Sequence, residues 1–341
     1  MHRHVYQRST GGCIYCPLEA SARILHDSTP RFAKQVSSKY ANLSANKVQR
    51  DFEENHSRRI SKDFIANLSN DVGALIDQQA PNWSYVLPIQ ATDAQVVSFG
   101  RDGTTMYLRG EGYRETMNGT ISFHDKEGNR VHTIYLAQAP EYGKATFNQR
   151  FVWEIERVKS LLPQAAYIGL ADGAKDNWTF LESYTDVSIL DFWHASEYLA
   201  LASKAASKSA YERKQWLEDA RHTLRHEPQG VDKLFRQMKR FRRKHKLSKI
   251  AKESLEKAIT YFGNHKHQMD YAAYNEDNYP IGSGVTEAAC KVIVKERLCQ
   301  SGMKWNLDGA QSTLSIRALY HSDGRWCQFW NYVDKFEFSL N

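Results

Sequence analysis

Residues 165–199, AAYIGLADGAKDNWTFLESYTDVSILDFWHASEYL, constrain the fold more than any other stretch. Two short apolar runs, 167–170 and 187–190, each end abruptly in an acid. Asp172-Gly173 follows the first, and Asp191 follows the second as part of an Asp-x-x-His sequence completed by His194. Continuous apolar runs of this length read as strands buried on both faces. Between them Trp178, Phe180 and Leu181 suit a short helix, so the local order is strand, acidic turn, helix, strand, acid, histidine. An acid at a strand end projects from a rigid platform, as a metal-binding carboxylate requires. Taken singly, each is equally a turn residue or a helix cap.

The same arrangement occurs upstream, where the apolar stretch 94–100 leads into Arg101-Asp102-Gly103. Residues 116–123 and 131–137 flank a turn at 125–129 and complete a three-stranded meander. Phe147, Phe151, Ile155, Val158, Leu161 and Leu162 then continue as an amphipathic helix up to Pro163. The predicted order is strand, strand, strand, helix, strand, helix, strand, a mixed α/β arrangement.

Ahead of this region, residues 1–40 are poorly patterned. Cys13 and Cys16 have zinc-ligand spacing without a second Cys/His pair nearby to complete four ligands. Val48 and Phe52 mark a weak helix. Ser61 caps a second one, in which Phe64, Ile65, Leu68, Val72, Leu75 and Ile76 recur at helical spacing. The pair suggests a helix-turn-helix, with Arg58, Arg59 and Lys62 at the start of the second helix, where a recognition helix meets DNA phosphates, and Asn67 and Asn70 on its polar side. Pro81 and Pro88 mark a linker.

Beyond Ala195, no strand signal occurs until about residue 275. This segment carries the basic run 239–246, which suits either a solvated helix face or a phosphate backbone. Residues 279–284 are loop chemistry. They lead to a helix through about residue 298, with Val285, Ala289 and Val292 facing inward and Glu287, Lys291 and Lys295 sharing another stripe, which by itself is an exposed salt-bridge ladder. The expected divisions are 1–85, an N-terminal helical region; 86–194, the first part of a sheet domain; 195–278, an all-helical insertion; and 279–341, the end of the sheet domain with the Glu287 helix.

Composition narrows the partners. Lys plus Arg number 46 against 39 Asp plus Glu, a net charge of +7, which leans toward a polyanion. No apolar run approaches the roughly eighteen residues of a membrane span. The N-terminus, MHRHVYQRSTGG, lacks a signal-peptide pattern, so a cytoplasmic protein is expected, nucleoid-associated when bound to DNA. Five scattered cysteines do not describe a disulfide framework.

Asp102, Asp172 and Glu287 form a set of carboxylates that a mixed sheet can deliver to one edge. Hard cations take oxygen ligands, and two-metal phosphoryl transfer needs carboxylates that hold two ions roughly 3.5–4 Å apart. The segments DGTTMYLRGEGYRETMNGTISFHDKEG, APEYGKATF, GLADGAKDNW, ILDFWHASEYL, PIGSGVTEAACKVIVKERLCQSGMKW and GRWCQFW closely resemble insertion-sequence DDE transposases of the ISKra group, relatives of the Mutator-like elements. The resemblance runs from about Tyr6 to Val333. It implies an RNase H-like mixed sheet flanked by helices and an enzyme that cleaves transposon ends and joins them to target DNA using two Mg²⁺ (or Mn²⁺) ions. The catalytic and metal-binding triad then falls on Asp102, Asp172 and Glu287, and the accessory Asp-x-x-His falls on Asp191 and His194, which would orient the insertion and contact the flanking strand. Trp178, Lys291, Arg297, Lys304 and Trp305 are candidates for phosphate and base-stacking contacts. A homodimer or higher oligomer on DNA is expected.

Members of that group carry a longer N-terminal region, which fits a truncated copy here and puts terminal-repeat recognition in question. Two further readings therefore stand beside the transposase: a DNA-binding regulator derived from one, and an RNase H-like nuclease that hydrolyses without strand transfer. A glycosidase using two of these carboxylates suits the basic charge less well.

Overall fold

The computed structural model describes residues 4–12, 14–17, 22–82, 84–243 and 247–335. Strand β1 (Val96–Leu108) pairs antiparallel with β2 (Gly112–His124) along its whole length, and β2 pairs antiparallel with β3 (Arg130–Gln138). The second turn is set by Asp125, whose carboxylate accepts the backbone N–H groups of Glu127 and Asn129 at 3.0 and 2.8 Å, an Asx-type closure. After helix α4 (Ala145–Leu161), β4 (Ala166–Ala171) adds parallel to β1; after α5 (Lys175–Leu181), β5 (Val187–Leu190) adds parallel to β4. The result is a mixed α/β fold whose five-stranded sheet, ordered β3-β2-β1-β4-β5, is flanked by helices.

β1 runs well past the expected end at Gly100. Its pairing with β4 covers only Val96–Phe99, and beyond that point β2 alone keeps it extended. Alternation explains its two faces. On one, Phe99 packs edge-on to Phe151, and Gly119, the register partner of Arg101 on β2, leaves room for Phe147 and Phe151 of α4. On the other, Gly100, Asp102 and Met106 lie under a helix that begins as α11 (Gly284–Ala289). This helix continues as a π-helical stretch, Cys290–Lys295, and ends with a last turn, Glu296–Leu298. The approach is close, since a Cβ on Gly100 would lie 2.1 Å from Thr286 Oγ1.

Between β5 and α11 the described residues are helical, without a strand: α6 (Phe192–Ala206), α7 (Ala210–His226), α8 (Gly230–Arg242), α9 (Lys249–His265) and α10 (Tyr271–Glu276). α12 (Leu307–His321) and α13 (Arg325–Val333) complete the chain.

Near the N-terminus, α2 (Ala45–His56) and α3 (Lys62–Gln79) form the expected helix pair, and the Ser61 hydroxyl accepts Phe64 N–H. A further helix, α1 (Pro30–Asn42), lies largely in the stretch that reads as unpatterned; Thr29 caps it and Pro30 opens it. α3 crosses α12 closely at Gly73, where a Cβ would sit 2.5 Å from Ser312 Cα. The N-terminal helices, the sheet and the β5–α11 helices share one apolar core, from Val36 and Leu68 through Phe99 and Ile168 to Leu255 and Phe262. A second cluster joins Met106 and Leu108 to Ile293, Leu298 and Leu314. Among the described residues no helix is long and apolar enough to cross a membrane.

Candidate active site

The sheet register sets three acids at one level. The parallel pairing of Phe99 with Gly169 brings Asp102 level with Asp172 three residues further on. The pairing of Ala171 with Leu190 brings Asp172 level with Asp191 one residue further on. α11 then crosses the β1 face that carries Asp102. One cleft is lined by Asp102, Asp172, Glu287, His194, Ser283 and Thr286, residues drawn from four separate stretches of the chain.

Asp172 and Glu287 are each held through one oxygen, and Asp102 through both. Asp102 is half-buried; its Oδ1 accepts the N–H of Gly103 at 2.7 Å, and its Oδ2 lies 3.5 Å from the Cys290 thiol. Asp172 Oδ1 accepts both Ala174 N–H and Asn177 Nδ2–H at 3.1 Å, and Glu287 Oε1 accepts the Ser283 hydroxyl at 3.1 Å. His194 Nε2 stands 3.6 Å from the same Glu287 oxygen, longer than a hydrogen bond and an ionic contact when the ring is protonated. Glu287 therefore faces His194 and Ser283, and no ion pair links it to Lys291 among the described residues.

Burial pushes the Asp102 carboxyl above the ordinary carboxylate range. The hydrogen bonds from Gly103 and Cys290 oppose the rise, while the negative charges of Asp172 and Glu287 reinforce it. Asp102 thus feels the other two acids, and a cation beside it would relieve that repulsion. Burial and the Asp102 charge push the Cys290 thiol up to about 12, so it is neutral at ordinary pH. The donors are hard oxygens of the kind that suit Mg²⁺ or Mn²⁺. Among the described residues no group of three or more His, Cys, Asp or Glu side chains is placed to hold a metal ion.

Asp191 is fully buried and works as a clasp. Its Oδ1 accepts His194 N–H at 2.7 Å, capping α6, and its Oδ2 accepts the N–H of Ser283. Burial leaves it orienting neighbours rather than touching a DNA strand, whereas the His194 side chain is 36% exposed in the cleft. On the same side α9 lies against the Asp172 turn. A Cβ on Gly173 would be 2.7 Å from the Tyr261 ring and 3.1 Å from His265 Nε2, and Tyr261 stacks on Tyr198 at 3.6 Å.

Two expected DNA contacts are corrected by burial. Trp178 is 6% exposed and belongs to the core beneath α5, so its ring offers no face to a base. Arg297 is 2% exposed; its Nε–H donates to Tyr40 O at 3.2 Å and its guanidinium lies between the Tyr40 and Trp305 rings, pinning α1 to the Glu287 helix. Trp305 is partly buried, donates Nε1–H to Leu298 O at 2.9 Å, and bridges to Leu108 through its backbone, so it braces the end of β1. Lys291, Lys304, Arg58, Arg59 and Lys62 are exposed. Arg59 pairs with Glu53 at 3.1 Å and Arg58 covers the Phe32 ring. Cys13 and residues 244–246 of the basic run lie outside the described residues, and Cys16 is a buried free thiol.

Sequence reasoning missed Ser283, Thr286, Cys290 and Asn177. Cys290 is three positions after Glu287 on one helix and was open to an i,i+3 reading. Thr286 carries no sequence signal, because its place is set by the packing of α11 on the sheet, where its hydroxyl meets that of Thr120 of β2 at 2.7 Å. Compared with protein-family models and with curated proteins, the chain matches none.

Proposed function

We propose that the chain is a DDE transposase that cleaves transposon ends and transfers the freed strand into target DNA on an RNase H-like core. One observation carries the reading: Asp102, Asp172 and Glu287, far apart in sequence, line a single cleft at the end of β4. The five-stranded mixed sheet and the wholly helical described segment before α11 agree with what the resemblance of the motifs implies.

On this reading the three acids would hold two Mg²⁺ or Mn²⁺ ions, which when bound would lower the proton affinity of the attacking oxygen and offset charge on the phosphate. The protein's own groups set the ligands. Gly103 N–H fixes Asp102, Ala174 and Asn177 occupy one oxygen of Asp172, and Ser283 occupies one oxygen of Glu287, which leaves Asp172 Oδ2 and Glu287 Oε2 for a cation. His194, beside Glu287, is placed to contact the flanking strand, with Asp191 fixing the backbone that carries it. Arg58, Arg59, Lys62, Lys291 and Lys304 are the exposed cations of the expected set that would meet phosphates, Arg59 exchanging its pair with Glu53 and Arg58 leaving the Phe32 ring to do so.

The test is Asp172→Asn, which removes charge at nearly constant size. It should abolish Mg²⁺-dependent nicking and joining of a transposon-end duplex while leaving duplex affinity within about twofold, since phosphate contacts carry most of that affinity. An active Asp172→Asn protein would refute the assignment. Nicking without joining by the wild type would move the reading to a nuclease, and binding without either to a regulator.

A further inference from the structure

We propose that Cys290, backed by Asn118, is a positioning residue that holds Asp102 in register with Glu287. The inference rests on the reading above only for what Asp102 is used for. The contact itself is in the geometry. Asn118 is fully buried on β2 as the register partner of Asp102; its Nδ2–H donates to Cys290 Sγ at 3.4 Å, and the thiol in turn lies 3.5 Å from Asp102 Oδ2. A thiol is a weak donor and a weak acceptor at once, so it can link an amide to a carboxylate in one directed chain.

A buried cysteine is commonly just a small apolar filler. Here two of its contacts are polar, and both come from the pair of strands that carries the acid. The helix contributes a carboxylate at Glu287 and, three residues on, a donor to the carboxylate of β1. The first and third acids are thereby tied through one short piece of backbone. The π-helical stretch begins at Cys290 itself, at the point where the helix meets the strand.

The experiment uses the full-length protein in two arms. In the metal-free protein, the S–H Raman band of Cys290, identified by its loss in Cys290→Ser, should move to higher wavenumber in Asp102→Asn, because the charged acceptor is gone. An unmoved band would overturn the proposal. In the second arm, Mn²⁺ affinity is read by electron paramagnetic resonance of the free ion. Cys290→Ala and the space-filling Cys290→Val should each bind about tenfold more weakly, the lower end of what loss of a partner behind a metal ligand costs. Cys290→Ser, which keeps a donor, should recover most of that loss. Wild-type Mn²⁺ affinity in folded Cys290→Ala and Cys290→Val, with binding lost in Asp102→Asn, would also overturn it. If Asp102→Asn itself binds Mn²⁺ like the wild type, the metal centre fails instead, and the Raman arm alone decides whether Cys290 holds Asp102.

Discussion

Gly100→Ala tests how the Glu287 helix is seated. The residue lies in a strand, where alanine adopts the backbone without strain and on chain-entropy grounds would stabilise by about 0.4–1 kcal/mol. The added Cβ, however, would lie 2.1 Å from Thr286 Oγ1 and 3.0 Å from Thr120 Oγ1. Ordinary contact begins near 3.4 Å, so helix or strand must give by about 1.3 Å. Thr286 cannot rotate away cheaply, because its hydroxyl is bonded to Thr120 at 2.7 Å and both residues are buried. Overpacking of this kind costs about 1–3 kcal/mol and the lost buried bond about 1 more, so a net loss of about 2 kcal/mol is expected from the urea midpoint. The next residue along the helix is Glu287, and a displacement near 1 Å at a reacting centre costs about a hundredfold in rate. If the proposed function holds, metal-dependent nicking of an end duplex should fall by that factor. In a Thr286→Ala background the same glycine change should cost little further in stability or rate, a coupling that a double-mutant cycle measures. Wild-type stability and nicking in Gly100→Ala, or simple additivity in the cycle, would refute the reasoning.

Two predictions concern stability alone. Glu154 is buried against Arg325 at 2.7 Å and Arg157 at 2.8 Å, so Arg325→Met should cost about 3 kcal/mol by urea denaturation, and adding Glu154→Leu should return much of it. An Arg325→Met protein as stable as the wild type would remove the ion pair from the account. Burial pushes His132 down to about 4, with the Arg325 charge adding to the shift, so the folded protein keeps this ring neutral while the unfolded chain protonates it near 6.5. The stability it contributes is complete above that unfolded value and is lost as pH falls from about 6.5 toward 4, by at most one proton's worth per pH unit. His132→Asn should flatten the urea-midpoint profile in that window, and an unchanged profile would show that the ring titrates normally.

What could be read from the sequence followed periodicity and chain punctuation. Ser61 and the apolar stripe behind it define α3, and the two apolar runs closed by Asp172 and Asp191 are β4 and β5. β1 was read too short because its second half is extended by pairing with β2, whose partner residues lie between four and eighteen positions further along the chain. α1 was missed because its inner face includes Ala33, Ser37 and Ala41, small residues that blur an apolar stripe, although Thr29-Pro30 was a usable start signal. Within the site, Asp102 and Asp172 announce themselves by their place after apolar runs, while Glu287 on a helix has no such mark and was found through motif resemblance. Trp178 and Arg297 show the limit of residue type. Tryptophan and arginine serve cores and nucleic acid equally well, and only packing tells which.

The Asp191 clasp has a consequence for how such a chain can change over time. The chain leaves the sheet at Leu190 and returns at Ser283, yet Asp191 and Ser283, 92 positions apart, are bonded to each other, and Phe192 N–H reaches Ile281 O at 2.9 Å. An excursion that starts and ends at one point can lengthen or shorten at small entropic cost, because closing a loop depends only on the logarithm of its size. Inserted or deleted turns in α7 and α8 therefore need not disturb the distance from the strand ends to Glu287. The surface of α9 that rests on Gly173, the Tyr271 hydroxyl that donates to Leu190 O at 2.9 Å, and the buried faces that join the shared core are bound to keep their shape. The helical excursion is thus closed at its own base, by the buried Asp191 carboxylate and the Phe192–Ile281 backbone bond, and its length can vary beyond that closure.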